Sequence, residues 1–133
     1  MSNNVIIVSR DPGLQQRLFG IVQDFMGLQA MYFSQVNDAL RYIRSESEAD
    51  SYPSFIIFEA GEKCVEGLAL LEALPIPGTY TIAVASKLGG PFTLTEEQLF
   101  ERRVNAIVLP SVQMAELHEI MRSFREQPMS YDE

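Results

Sequence analysis

The chain has 133 residues, the size of one domain with a real core and too short for two. Hydrophobic residues make up 47% and charged residues 21%, which excludes a disordered or fibrous chain. Ten Lys+Arg against 18 Asp+Glu leave a formal charge of −8, which argues against nucleic acid or an anionic membrane as partner.

A single cysteine, Cys64, and a single histidine, His118, exclude an internal disulfide, a Cys-only metal cage and a multi-His zinc site. No apolar run reaches the ~18 residues needed to span a bilayer. The start, Met1-Ser2-Asn3-Asn4, has no basic region followed by an apolar stretch. A cytoplasmic location is the expectation.

In chain order, Val5-Ile6-Ile7-Val8 is a continuous β-branched run, as in a strand buried on both faces. Asp11-Pro12 predicts a helix start, with Asp11 as N-cap and Pro12 at the first helical position. Leu14, Leu18, Ile21, Val22 and Phe25 follow at helical spacing, and Gly27 suits the C-terminal cap. Leu28 to Phe33 reads as a second strand. A helix starting at Ser34 or Asn37 carries Val36, Ala39, Leu40 and Ile43 on its apolar side. Ser45 to Ser51 is a polar loop, and Phe55-Ile56-Ile57-Phe58 a third buried strand.

Gly61 to Glu66 reads as a loop, and Leu68, Leu71 and Leu74 as a helical stripe ended by Pro75 and Pro77-Gly78. Thr81 to Ala85 is a fourth strand. Lys87 to Pro91 is a glycine-rich loop without the spacing of a phosphate-cradling one. Thr95-Glu96-Glu97-Gln98 resembles a capping box. Asn105 to Leu109 is a fifth strand. Pro110-Ser111 then caps a last helix, with Met114, Leu117, Ile120, Met121 and Phe124 on one side and Met114, Met121 and Phe124 expected in the core. Residues 1–126 form the domain, and 127–133 an acidic polar tail or the start of a linker.

Strict alternation of strands and helices predicts an α/β fold, a doubly wound parallel sheet covered on both faces. In such sheets ligands sit at the carboxyl ends of the strands, near the switch in strand order. Those ends are Ser9-Arg10-Asp11, Glu59-Ala60, Ser86-Lys87 and Leu109-Pro110.

The corners, taken in order, resemble the receiver domain of two-component response regulators over nearly the whole chain. The matching frame is Val-Ile-Ile-Val-Ser9-Arg10-Asp11-Pro12, then Phe-Ile-Ile-Phe-Glu59 with Gly67-Leu68 eight residues later, then Ile-Ala-Val-Ala-Ser86, then Asn-Ala-Ile-Val-Leu109-Pro110. The resemblance implies a flavodoxin-like (βα)5 fold with strand order 2-1-3-4-5. It also implies a site that, in the family, phosphorylates an aspartate after strand three. An acidic pair after strand one holds Mg²⁺ there, assisted by a hydroxyl after strand four and a lysine after strand five.

This sequence departs from that pattern. Ser9 and Arg10 stand at the acidic metal positions, leaving only the flanking Asp11. Glu59 stands at the acceptor, Leu109 at the lysine and Ala106 at the aromatic switch; Ser86 keeps the hydroxyl. A guanidinium ~5 Å from Mg²⁺ would be repelled by roughly 7 kcal/mol at an effective dielectric of ~20. Glu59 is also a methylene too long for the in-line geometry, where a displacement of ~1 Å costs about 10²-fold.

The expectation is therefore a degenerate receiver: no enzyme, no cofactor, no metal, and no phosphate accepted by the usual route. Arg10 and Glu59, at adjacent strand ends, would pair where metal and aspartate otherwise sit, fixing one signalling conformation. The domain would bind a protein partner, or a second copy through the face of the fourth helix, fifth strand and fifth helix. The alternative is a domain still phosphorylated, or regulated by a small ligand, through Asp11, Glu59 and Ser86.

Overall fold

A computed structural model of the chain describes residues 4–24, 28–45, 53–59, 79–85, 97 and 104–126. The elements are β1 (Asn4–Val8), α1 (Pro12–Gln23), β2 (Gln29–Phe33), α2 (Val36–Ser45), β3 (Phe55–Glu59), β4 (Tyr80–Val84), β5 (Ala106–Val108) and α3 (Met114–Glu126). The five strands are all parallel and lie in the order β2-β1-β3-β4-β5. This is the flavodoxin-like order that the resemblance implies.

The continuous apolar runs explain the layering. Side chains alternate across a strand, so a strand buried on both faces must be apolar at every position. Val5, Ile7, Phe55, Ile57, Ile82 and Val84 pack on one face, against Leu14, Leu18, Ile21 and Val22 of α1 and Leu117 and Met121 of α3. Ile6, Val8, Ile56, Phe58 and Ala83 pack on the other, against Val36, Ala39, Leu40 and Ile43 of α2. Tyr80 joins the first layer through Phe124, their rings stacked at 4.7 Å.

The element boundaries differ from expectation by a residue or so. The last helix differs more. Pro110 and Ser111 form a turn, and α3 begins only at Met114. Leu117 and Met121 are fully buried, but Met114 is 44% exposed, which corrects its placement in the core. The helical period puts Met114 on the same stripe, but at ~1.5 Å per residue it lies about 10 Å along the axis from Met121. The helix starts there six residues after Val108, the last residue of β5. Phe124 is only half-buried.

Phe25, Gly27, the loop and helical stripe expected over residues 61–74, the Lys87–Pro91 loop, Cys64 and the 127–133 tail lie outside the described residues, as does most of the helix expected after Thr95, of which Glu97 alone is described and is helical. No helix among the described residues is long and apolar enough to cross a membrane.

Candidate functional site at the carboxyl ends of β1 and β3

Parallel pairing of β1 and β3, with Val8 opposite Phe58, brings the residues after each strand together. Ser9 follows β1 and is 2% exposed; Glu59 closes β3 and is half-buried. Ser9 Oγ donates to Glu59 Oε1 at 2.7 Å. The same carboxylate oxygen accepts from the Arg10 backbone N–H at 3.3 Å. Ser9 Oγ also accepts from the Asp11 N–H at 3.1 Å. Its one proton has a second candidate acceptor, Asp11 O, at 3.5 Å; the 2.7 Å contact to an ionised oxygen wins, because charge-assisted bonds are shorter and stronger.

Asp11 is the N-cap of α1. Its Oδ1 accepts from Gly13 N–H at 2.9 Å and Leu14 N–H at 3.3 Å, and its backbone is extended, as an N-cap requires. That agrees with the role expected for Asp11-Pro12.

Two polar residues of α1, Gln15 and Arg17, also belong to the site, though periodicity does not reveal them. Gln15 is buried, and its Nε2 donates to the Ser9 carbonyl and to Ser34 Oγ. Ser9 N–H in turn donates to Phe33 O at 3.1 Å. Every polar group of Ser9 is thus engaged, and the ends of β1, β2 and β3 and the start of α1 are one hydrogen-bonded unit. The clue to Gln15 was a polar residue in helical register with Leu18 and Val22. Arg17 reaches across to the far side of the site, its guanidinium donating to Pro110 O and Val112 O in the turn after β5. An exposed arginine gives no sequence sign of partners 93 and 95 residues away.

The other expected positions are spread out. Leu109 follows β5, two strands from Glu59, and is 60% exposed. Ala106 opens β5 beside Ile82 and packs half-buried against the α1–α3 layer. Ser86 lies outside the described residues. Arg10 and Glu59 do meet, and the contact described runs through the Arg10 backbone N–H.

Mg²⁺ prefers octahedral oxygen ligands and is usually held by one or two carboxylates. The donors at residues 9–11 are a hydroxyl committed to Glu59, a guanidinium side chain and a carboxylate whose Oδ1 caps α1. This set does not fit the ion, and no cluster of three His, Cys, Asp or Glu that could hold a metal occurs among the described residues.

No protein-family model matches the chain, and no curated protein matches it. Solved structures do. A response regulator receiver domain from Methylobacillus flagellatus superposes with a TM-score of 0.69 at 20% identity, over 93% of this chain and 99% of that one. A receiver domain protein from Methanospirillum hungatei JF-1 gives 0.69 at 20% identity, over 95% and 96%. A DNA-binding response regulator of the LuxR family from Staphylococcus aureus gives 0.70 at 18% identity, over 92% and 98%. Together with the 2-1-3-4-5 parallel sheet, these likenesses give the chain the fold of response regulator receiver domains.

Proposed function

We propose that the chain is a receiver-like domain of a two-component or phosphorelay system that works in the cytoplasm as a phosphorylation-independent protein–protein interaction module, not as an enzyme. The observation that carries this reading is the Glu59 carboxylate, held by the Ser9 hydroxyl and the Arg10 N–H where a receiver would carry its acceptor aspartate. A phosphoryl group would bring nearly two charges and three acceptor oxygens, conditionally. Glu59 brings one charge permanently, already bonded to the β1 end.

The outer side of α3 supplies a docking surface for a protein partner. Glu116, Glu119 and Arg122 are exposed there, with Arg122 and Glu119 paired at 3.1 Å. Mixed charge of this kind sets orientation and encounter rate more than affinity.

The test is incubation with acetyl phosphate, and separately with beryllofluoride, each with Mg²⁺, read by intact-mass spectrometry and thermal shift. The expected result is neither a mass gain of one phosphoryl group nor a shift in Tm. A stable adduct on Glu59 or Asp11 would overturn the reading in favour of an unconventional phosphoacceptor.

A further inference from the structure

β2 is an edge strand: it pairs with β1 on one side, and no strand pairs with its other side among the described residues. Edge strands are ordinarily guarded by lysine, proline, a bulge or brevity. β2 is Gln-Ala-Met-Tyr-Phe, five residues with no charge and no proline, in a chain of net charge −8. Tyr32 on it is 51% exposed.

The direction of its free backbone groups follows from one hydrogen bond. Phe33 lies opposite Val8, and its carbonyl accepts from Ser9 N–H. Phe33 therefore points its backbone at β1. By alternation so do Met31 and Gln29, while Ala30 and Tyr32 point theirs outward.

We propose that this edge is a self-association surface, on which a second copy of the chain adds its own β2 antiparallel about a two-fold axis at Met31. In that register Ala30 lies opposite the partner's Tyr32 and Tyr32 opposite the partner's Ala30. Each such pair presents outward N–H and C=O groups from both strands, so it exchanges both bonds of a hydrogen-bonded antiparallel pair. Shifting the axis to Ala30 or Tyr32 leaves one outward residue of each strand facing beyond the partner's β2. The chosen register also sets the large ring over the small methyl on each side. Flanking aromatics complete two layers. Phe19 meets Tyr32 edge-on at 5.5 Å on the α1 side, and Tyr42 meets Phe33 at 5.8 Å on the α2 side. An uncharged strand offers a basic or acidic partner no complement, whereas it fits its own copy in sequence, size and bonding. The pairing is small and belongs with weak, concentration-dependent interfaces, those below ~1,200 Å² in total. It uses the opposite edge of the sheet from β5 and α3, so it stands or falls separately from the partner docking proposed above.

The experiment is sedimentation over a concentration series together with oxidative cross-linking. The unaltered chain should show a reversible dimer, and Tyr32→Lys should remain monomeric throughout, with its cooperative unfolding kept. In a Cys64→Ser background, Met31→Cys should cross-link, because its partner in the non-hydrogen-bonded pair lies ~4.5 Å away between Cα atoms, within disulfide reach. Gln29→Cys should not, since the two copies would sit about 14 Å apart along the strands. A chain that is monomeric at every concentration, or a dimer that survives Tyr32→Lys without cross-linking at position 31, would overturn the proposal.

Discussion

Ser9 Oγ and Glu59 Oε1, fifty residues apart in the chain, meet at 2.7 Å across the carboxyl ends of two neighbouring parallel strands. The bond joins a buried hydroxyl to a half-buried carboxylate, and the hydroxyl accepts from Asp11 N–H at the same time. Removing it takes one donor from Glu59 and the side-chain acceptor from Asp11 N–H. Ser9→Ala should therefore destabilise the fold by about 1–3 kcal/mol. Glu59→Gln keeps an acceptor oxygen and loses only the charge assistance, so about 1 kcal/mol is expected. Urea unfolding of both variants measures this; a Ser9→Ala chain as stable as the parent would show the pair to be idle.

The same pair predicts how the site responds to being rebuilt. In the double variant Ser9→Asp with Arg10→Asp, new carboxylates would face Glu59, and two such charges ~4 Å apart repel by roughly 4 kcal/mol at an effective dielectric of ~20. That variant should be less stable than the parent without divalent ions and should gain Tm on addition of Mg²⁺, while the parent shows no response. Thermal denaturation with and without Mg²⁺ reads both arms. A parent chain stabilised by Mg²⁺ would contradict the misfit of its donor set.

Gln15 is the joint of the hydrogen-bonded unit. Its amide holds the Ser9 carbonyl and Ser34 Oγ from a buried position on α1. Gln15→Leu fills similar volume with apolar atoms but leaves that carbonyl without its donor, and about 2 kcal/mol of stability should be lost. Hydrogen exchange should show the loss centred on the β1–α1 junction. Exchange unchanged there, with the loss elsewhere, would mean that the amide is not what holds the junction.

Arg17 ties α1 to the turn after β5 through Pro110 O and Val112 O. Two carbonyls satisfied by one planar group is a task for a guanidinium and not for an ammonium. Arg17→Ala should cost about 1–2 kcal/mol and speed exchange at Val112 and Gln113, with Arg17→Lys recovering only part. Full recovery by lysine would show that charge, not the fork of donors, matters.

The sheet was legible in the sequence because strands buried on both faces write themselves as unbroken apolar runs, as Val5–Val8 and Phe55–Phe58 do. Asp11 was legible because capping is local. The resemblance places Ser9 and Glu59 together but not their bond: the family pattern puts a metal ligand at Ser9 and pairs Glu59 with a cation, and a hydroxyl–carboxylate contact leaves no mark on spacing. Gln15 and Arg17 were missed because a polar side chain's partner is set by tertiary folding, which periodicity does not encode. Met114 was misplaced because a helical stripe tells which side faces inward, and not where along the axis the sheet stops.

Tyr80 contributes a loss of stability at alkaline pH. Its ring packs with Phe55 at 5.8 Å and Phe124 at 4.7 Å, and burial pushes its phenol above the ordinary value of 10.0 by penalising the phenolate. In the unfolded chain the phenol returns to its ordinary value and ionises first. The folded state therefore holds the proton longer, so the contribution to stability is intact below pH ~10 and is lost as pH rises through the folded value. Denaturant midpoints measured from neutral pH upward should fall beyond pH ~10. Tyr80→Phe keeps the stacked rings and removes the ionisable group, so its midpoint should fall less steeply over the same interval. Parallel curves for the two chains would show that another group causes the loss.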